Sequence, residues 1–271
     1  MATTVGQVQA VIEQLWPVSG AEGWDAPGLL AGDPAAPVAS ILLAVDAVLD
    51  TVDEALASDL LLVHHPLLLR GVTSVAEDRY KGAVLARLIR ANTALIAAHT
   101  NADVVETGTS AVFAERLGLV DVSPIVPSPG NAARGIGRVG RLPEPTTVGR
   151  LARMLGEVLP ATASGIRVSG EFDAPVTTVA LCGGAGDSLL AEPAVLAADV
   201  YITSDLRHHP ASEARENARV GGGPALIDVS HWASEWLWLE QAAGELRAAL
   251  PDVVVTVSDL RTDPWDFAVV Q

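Results

Sequence analysis

Short apolar runs alternate with segments of helical spacing along most of the chain. Runs of strand length occupy residues 41–45, 59–63 and 94–98. Helical patterns at 48–57 and 80–91 lie between them. Strands that alternate with helices in this way predict βαβ units and a mainly parallel sheet, because parallel neighbours need a long crossover connection. We therefore expect an α/β fold.

A second α/β series follows a proline-rich segment. Its expected strands lie near 135–141, 176–182, 200–203 and 225–229, and its helices at about 146–158, after Pro210 and from His231 to Ala249. Three prolines with serines and small residues mark the segment at 121–134, DVSPIVPSPGNAAR, as a linker. We predict a first domain at 1–125, completed by about 230–271, and a second domain at 126–229.

A short internal echo relates the two series. Residues 59–63, DLLLV, align with residues 199–203, DVYIT, at an offset of 140 residues (199 − 59), and polar residues follow both. In this alignment Ser204 and Asp205 correspond to His64 and His65. Two short matches do not establish a duplication. Two similar domains that face each other would, however, form a cleft between them.

Charge and cysteine content exclude several classes of function. The 271 residues carry 17 Lys and Arg against 33 Asp and Glu, a net charge of −16. We therefore expect no nucleic-acid partner and no docking on an anionic membrane. The one cysteine, Cys182, excludes an internal disulfide and a thiolate-based structural zinc site. With neither a signal peptide nor a run of 18 apolar residues, the prediction is a soluble cytoplasmic protein.

The segment DLLLVHHPLLLRG, at 59–71, is the most informative about chemistry. His64 and His65 stand where a buried strand should end, and that end of a parallel sheet is where α/β proteins place ligands. Pro66 stops the strand and favours extended geometry at His65, so we expect the two rings to point to opposite sides. They would then serve two metal ions, or one metal ion and one substrate. For a dipeptide taken by itself, two loop histidines without a ligand are the simpler interpretation.

Other candidate ligands lie further along the chain. His231 and Glu235 are four residues apart on a predicted helix, so their side chains share a face and can converge on one ion. A helix that begins with an exposed His and Glu is the alternative. Asp103 closes the segment HTNAD, where a carboxylate either binds metal or caps a helix.

The combined donor set indicates a catalytic type of metal site. It consists of three imidazoles and two carboxylates without sulfur, namely His64, His65, Asp103, His231 and Glu235. With one bridging carboxylate, such a set can hold two divalent ions about 3.5–4 Å apart and leave positions open for water. A structural zinc site would instead be closed by four ligands, usually including cysteine.

The order of the motifs resembles that of a known family. The motifs are WDAPGLLAGDP, DLLLVHHPLLLRG, IAAHTNAD, GRVGRLPEP, VALCGGAGDS, YITSDLRHHPASEA and IDVSHWASE, and they cover nearly the whole chain. The sequence resembles the Nif-three-like dinuclear-metal-centre proteins, a hexameric family often labelled GTP cyclohydrolase 1 type 2 homologue. The resemblance implies that the five residues above are metal ligands and that Glu235 reaches both ions. It also implies two related α/β domains, with mainly parallel or mixed sheets, facing each other across a metal-binding cleft, and a ring-shaped homohexamer.

The chain departs from the family pattern at two loop positions. Ser230 stands where the family usually has a glycine before its last ligand histidine, and Ser204 replaces the glycine of the usual TGD. Both departures concern substrate preference and backbone shape more than metal binding. Longer relatives carry an inserted middle domain, for which the linker of this chain leaves no space.

Two further features have a simple structural interpretation beside a functional one. The segment GGAGDS, at 183–188, either cradles a phosphate with its amides or is a plain turn from strand to helix, which its spacing favours. We expect Cys182 to be a small buried apolar residue. Three tryptophans of the final helix are expected to serve in packing or in a subunit contact, Trp232, Trp236 and Trp238.

We therefore predict a metal-dependent hydrolase that acts on a small phosphorylated or heterocyclic substrate. Two divalent ions, Zn, Mn or Fe, would exceed the charges of Asp103 and Glu235 by two, which favours a small anionic substrate and lowers the pKa of bound water. His99 or His209 is the expected proton-transfer partner. The alternative function is a non-catalytic metal-binding scaffold, a metal store or an interaction hub, because all of these need the same ligands.

Overall fold

The computed structural model describes residues 2–269. Its helices are α1 Val5–Leu15, α2 Leu49–Ala55, α3 Tyr80–Ala91, α4 Thr100–Asp103, α5 Thr109–Arg116, α6 Val148–Val158, α7 Pro193–Leu196, α8 His208–Gly221 and α9 His231–Ala249. Its strands are β1 Gly28–Ala31, β2 Ser40–Ala44, β3 Leu60–Val63, β4 Ala94–Ala97, β5 Val120–Ser123, β6 Val126–Ser128, β7 Asn131–Ile136, β8 Arg138–Thr147, β9 Arg167–Ser169, β10 Pro175–Ala185, β11 Val200–Ser204, β12 Ala225–Val229 and β13 Val254–Val257.

The chain packs into two units. Unit 1 contains the described residues up to 102 together with 239–262, and unit 2 contains residues 103–238 together with the described residues from 263. These packing units begin and end at other residues than the predicted domains do. Within residues 2–269, no helix combines the length and the apolar character that crossing a membrane requires.

Unit 1 is built on a five-stranded sheet in the order β1-β4-β3-β2-β13. Four of its strands run parallel, and β1 is antiparallel at one edge. Every residue of β3 and β4 is buried, which explains why these strands read as unbroken apolar runs. Leu61 and Leu95 pack with α2 and α3 in one core cluster. The prediction of a mainly parallel α/β arrangement is confirmed here.

The helices of unit 1 begin and end where local chemistry favours it. Thr4 caps α1 in a capping box with Gln7, and the helix buries Val5, Val8 and Ile12. Helix α3 ends at Ala91 and is followed by the C-cap residue Asn92, whose left-handed backbone (φ 56°) suits a helix end. The second half of α9 belongs to this unit, and Glu245 there accepts a hydrogen bond from the indole of Trp16 at 3.1 Å.

Unit 2 contains a mixed six-stranded sheet in the order β5-β8-β10-β11-β12-β9. In this sheet β11 pairs in parallel with β10 and with β12, and the other neighbouring strands pair antiparallel. The linker interpretation of residues 121–134 is wrong, because this stretch supplies β5 and most of the two-stranded β6–β7 ribbon. Prolines are tolerated at strand edges and turns, and Gly130, with φ 78°, makes the turn between β6 and β7. Trp232 and Trp238 are buried, as the packing interpretation expects.

Asp59 and Asp199 support the relation between the two series. In unit 1, Oδ2 of Asp59 accepts the backbone N–H groups of Ala39 and Ser40, at the start of β2. In unit 2, Oδ2 of Asp199 accepts those of Thr177 and Thr178, in β10. Asp59 directly precedes β3, which is parallel to β2. Asp199 directly precedes β11, which is parallel to β10. The short echo at an offset of 140 residues (199 − 59) therefore corresponds to one local structure that occurs twice.

Candidate metal centre

His64 and His65 follow β3 in unit 1, and their rings converge. Their centroids lie 5.1 Å apart at an interplanar angle of 52°. The expectation that the rings point to opposite sides is wrong, because the chain bends at His64 and His65 and the alternation of the strand stops at Val63. His64 is 1% exposed, whereas His65 is partly accessible.

His99, which follows β4, joins the same cluster. Its ring centroid lies 5.1 Å from that of His64 and 5.4 Å from that of His65. One ring nitrogen of each histidine lies within 4.8 Å of the others, close enough for the three to share one ion. Sequence reasoning assigned His99 to proton transfer, and the structure places it among the candidate ligands.

Each of these rings is fixed through Nδ1 by an oxygen acceptor. The Nδ1 distances are 2.9 Å from His64 to the carbonyl oxygen of Ala98, 2.7 Å from His65 to Oδ1 of Asp46 and 2.7 Å from His99 to Oδ1 of Asp25. A carbonyl or carboxylate oxygen accepts a hydrogen bond, so Nδ1 carries the proton and Nε2 offers its lone pair. Metal-binding histidines in proteins are held in this way.

Asp25 and Asp46 hold two of these rings, and the sequence analysis did not identify either residue. Burial favours a higher pKa for Asp25, but hydrogen bonds from Thr100 and His99 outweigh it and lower the pKa, so the group stays ionised. The second oxygen of Asp46 accepts the hydroxyl of Thr262 at 2.5 Å. The available signal for Asp46 was its position two residues after β2, at the same sheet edge as His64.

In unit 2, His231 and Glu235 form the expected pair on α9. Nε2 of His231 lies 2.9 Å from Oε1 of Glu235, one turn further along the helix. Nδ1 of His231 lies 2.8 Å from Oδ2 of Asp205, which follows β11 and has a left-handed backbone. Asp205 therefore holds His231 as Asp46 holds His65, and it too was missed from the sequence.

The charges around His231 favour a cation. Burial favours a lower pKa for His231, but the neighbouring Glu235 and Asp205 outweigh it and raise the pKa well above the usual value. The negative charges of Glu235 and Asp205 therefore favour a positive charge at Nε2 of His231 and Oε1 of Glu235. A divalent ion meets the same two donor atoms and the same negative charge, so this pair fits metal chemically.

The backbone at Gly184 lies directly beside the side chains of His231 and Glu235. A Cβ atom at this position would lie 2.4 Å from Oε1 of Glu235 and 3.3 Å from Nε2 of His231, and its φ of +72° also favours glycine. The amides of Gly183 and Gly184 donate to the hydroxyls of Ser110 and Ser234. The amides of Gly183 and Gly184 are already engaged, so they do not cradle a phosphate. The plain turn from strand to helix fits the end of GGAGDS, because β10 ends at Ala185 and a short 3-10 helix, Asp187–Leu189, follows.

Asp103 is the last residue of α4 and the first residue of unit 2. Its Oδ1 accepts the hydroxyl of Thr109 at 2.5 Å. Arg138 is buried nearby and donates to the carbonyl of Val105 at 2.8 Å. Burial lowers the pKa of Arg138, and the negative charge of Asp103 opposes that shift. The carboxylate of Asp103 is thus kept in a fixed position beside a positive charge.

The remaining sequence-based candidates lie near α8 and α9. His209 is exposed in the first turn of α8, and its described ring contact is with His208, at 5.2 Å between centroids. The structure describes no contact between His209 and the ligand candidates. Ser230 caps α9 by accepting the N–H of Ala233 at 3.2 Å, and its hydroxyl donates to Asp263 at 2.6 Å. Cys182 is buried, as expected.

Comparison with known proteins identifies relatives along nearly the whole chain. The profile of the family Duf34/NIF3 (NGG1p interacting factor 3) matches residues 3–264. A Streptomyces coelicolor protein named GTP cyclohydrolase 1 type 2 homolog is 46% identical, over 96% of this chain and 93% of the relative. A Mycobacterium tuberculosis protein of the same name is 34% identical, over 98% of both chains.

Solved structures share the fold. The Staphylococcus aureus hypothetical protein SA1388 superposes with a TM-score of 0.89 at 25% identity, over 99% of this chain and 100% of the other. A Bacillus cereus protein related to NIF3 superposes with a TM-score of 0.88 at 20% identity, over 98% of this chain and 99% of the other. The second likeness concerns the fold alone.

Proposed function

Because the chain belongs to the Duf34/NIF3 family, we propose that it is a metal-dependent hydrolase with a dinuclear centre. The proposed ligands of the two divalent ions are His64, His65, Asp103, His231 and Glu235. The donors are neutral nitrogens and carboxylate oxygens without sulfur, a set that suits Zn, Mn or Fe. Glu235 is the proposed shared carboxylate.

The observation that carries this proposal is the common anchoring of the histidines. His64, His65, His99 and His231 each have Nδ1 within 2.7–2.9 Å of an oxygen acceptor. A histidine that only fills space needs neither a hydrogen bond that fixes Nδ1 nor an Nε2 atom that points towards another candidate ligand. Three of these rings belong to the proposed ligands, for which such anchoring is expected. The same anchoring of His99 suits a proton acceptor.

The residues of the chain have distinct proposed roles in hydrolysis. When bound, the metal ions supply a Lewis acid and lower the pKa of water. Asp46 and Asp205 fix the orientation of the rings of His65 and His231. His99 is the preferred proton acceptor of the two candidates, because the ionised Asp25 stabilises its protonated form. His209 lacks such a carboxylate among its described contacts.

Trp24 supports a planar heterocyclic substrate. Its side chain is 60% exposed, although it adjoins the histidine cluster, and its ring stands edge-on to that of His99 with 5.8 Å between centroids. An exposed indole beside reactive groups offers a stacking surface for a flat ring. The substrate class we propose is therefore a small nucleotide-like molecule, and GTP is the first compound to test because relatives carry that name.

A non-catalytic metal-binding scaffold is the second candidate, favoured by the exposed apolar tail. Trp265, Phe267 and Val269 are 64%, 79% and 75% exposed. Exposed aromatic residues at this density are typical of contact surfaces between chains. We propose a homohexamer, following the family resemblance, under either function.

The deciding experiment combines metal analysis with a substrate screen. Protein purified without chelator is expected to contain close to two transition-metal ions per chain. A screen of GTP, other nucleotides and phosphoesters is expected to reveal hydrolysis that Glu235→Gln abolishes. Two bound ions with no turnover of any compound would favour the scaffold. Only trace metal after reconstitution with zinc, manganese or iron would refute both.

A further inference from the structure

Three histidines of unit 1 lie together at one edge of its sheet. His64 and His65 follow β3, His99 follows β4, and these two strands are parallel neighbours. The strand ends are joined by a backbone hydrogen bond from the N–H of Ala98 to the carbonyl of Val63, at 2.9 Å. All five residues belong to unit 1, so the cluster is built on the sheet of a single packing unit.

The separations of the three rings match those of a three-histidine zinc site. With a zinc–nitrogen bond of about 2.0–2.1 Å, a ring centre lies about 3.2 Å from the ion, so tetrahedral angles put two ring centres about 5.2 Å apart. The observed centroid distances are 5.1 Å for His64 and His65, 5.1 Å for His64 and His99, and 5.4 Å for His65 and His99. The ring centres therefore already have the spacing of ligands to one ion.

The direction of the ring nitrogens favours an ion over simple packing. Rings that pack edge to face have similar centroid distances, but such packing requires no fixed nitrogen. Nδ1 of each of the three rings lies 2.7–2.9 Å from an oxygen acceptor, which leaves Nε2 as the nitrogen for a metal. One nitrogen of each ring lies within 4.8 Å of the others, so small ring rotations bring all three to one ion.

The charge around the cluster balances one divalent ion. Three imidazoles are neutral ligands, so the two charges of the ion must be offset by groups behind them. Asp46 and Asp25 supply two negative charges through their contacts with His65 and His99. The side chain of Asp25 is 0% exposed, whereas that of His65 is 27% exposed and gives an ion access from solvent.

We propose that His64, His65 and His99 bind one zinc ion in a tetrahedral site within unit 1. The fourth position is left for water, as in other three-histidine zinc sites. The inference rests on the proposed function for the ligands His64 and His65, but it uses no ligand of unit 2. A ring that holds an ion through Nε2 cannot accept a proton there. The single-ion state is therefore a loading state, distinct from the state in which His99 takes part in hydrolysis.

Zinc titration of full-length variants tests the proposal. The background variant carries Asp103→Asn, His231→Ala and Glu235→Gln, so it lacks the unit 2 ligands of the proposed dinuclear centre. It is expected to bind one zinc ion per chain, measured by elemental analysis after dialysis and by competition against a chelator of known affinity. Circular dichroism checks folding.

Histidine substitutions in this background identify the site. His99→Ala is expected to lower zinc affinity at least about 100-fold, since a direct ligand contributes more than the partners that orient it. Asp25→Asn is a second variant, which keeps the shape of the side chain and removes its charge, and its expected loss is about tenfold. His208→Ala is the matched control, because it removes an exposed imidazole on α8, and zinc affinity is expected to stay unchanged.

The outcomes separate this site from the dinuclear centre. One zinc ion in the background that is lost with His99→Ala supports the site, whether or not the intact chain hydrolyses any compound. Equal zinc affinity with and without His99, or equal losses in His99→Ala and His208→Ala, overturns it. Two ions in the wild type and none in the background also overturn it, and that result leaves the proposed function standing.

Discussion

Asp46 holds His65 by its Nδ1 nitrogen, at a distance of 2.7 Å. The two residues are 19 positions apart and lie at the ends of neighbouring parallel strands, β2 and β3. The other oxygen of Asp46 is fixed by Thr262, so the carboxylate cannot turn away from the ring. The direction of Nε2 of His65 is therefore set by two residues outside the proposed ligand set, Asp46 and Thr262.

Replacing Asp46 by alanine is expected to lower metal affinity without unfolding the protein. Carboxylates that orient a ligand histidine are worth about 10–100-fold in affinity. The measurement is competition for zinc against a chelator of known affinity. Asp53→Ala is the control, because Asp53 is an exposed carboxylate on α2 paired with Arg87. Equal affinities of the two variants would show that Asp46 does not orient a ligand.

Glu235→Gln is expected to expel one metal ion and leave the other. The substitution keeps the size of the side chain and removes its charge, so the excess charge of the proposed centre would rise from two to three. Two divalent ions less than 4 Å apart repel by about 15–20 kcal/mol at an effective dielectric of about 20, before ligands offset it. Elemental analysis counts the ions, and circular dichroism checks folding. Retention of both ions at wild-type affinity would exclude Glu235 as the bridge.

Gly184→Ala is expected to reduce metal affinity at least about tenfold, since its Cβ would lie 2.4 Å from Oε1 of Glu235. Gly165→Ala is the matched control, because Gly165 has φ +60° and no atom within 4 Å of its Cβ position. Both variants lose about 1–2 kcal/mol of stability from left-handed backbone. Denaturant unfolding compares stability, and zinc competition compares affinity. A similar affinity in both would mean that backbone proximity does not shape the centre.

Cys182 should make the metal-free protein less stable at high pH. Burial, and then the negative charge of Asp103, raise the pKa of its thiol to about 12. The folded state therefore keeps a proton that the unfolded chain releases above about pH 8.5–9, so stability falls as pH rises from there to about 12. Cys182→Ala is expected to flatten this part of the unfolding profile by a few kcal/mol, on the order set by the linkage relation. Parallel profiles of the two proteins would contradict the shift.

Trp24→Ala is expected to weaken binding of a planar ligand while metal content stays unchanged. The loss of one stacking surface corresponds to about 1–3 kcal/mol, or roughly 5- to 150-fold in affinity. Trp24→Phe should restore most of the binding, because it keeps an aromatic face. Calorimetry with the best compound of the substrate screen measures this, and a Trp24→Ala variant with unchanged affinity would argue against the stacking role.

The fold was predictable where its strands are buried on both faces, as β3 and β4 are. The runs at 59–63 and 94–98 became β3 and β4, and α9 begins and ends at the predicted residues. The prediction of a linker at 121–134 was wrong because proline excludes a strand only where its missing N–H would have to pair with a neighbouring strand. Each strand of the two-stranded β6–β7 ribbon has a neighbour on one side only, so a proline can be accommodated there.

The site was predictable where ligands are local and unpredictable where partners are distant. The contact between His231 and Glu235 was predictable because the two residues are one helical turn apart on α9. Asp46 and Thr262 are separated by 216 positions, and no pattern in one sequence relates them. The convergence of His64 and His65 depends on a bend after β3. Alternation along a strand predicts the opposite arrangement, so the cluster with His99 could not be foreseen.

One edge of the unit 1 sheet is a strand that the ribosome makes long after its neighbour. Residues 254–257 form β13 beside β2, although 210 positions (254 − 44) separate the two strands. At about 5–20 residues per second, the nascent chain waits roughly 10–40 s for this neighbour. Meanwhile β2 presents an apolar edge of unmet backbone groups that other chains can join. The yield of folded protein in the cell should therefore depend on what shields this edge during translation.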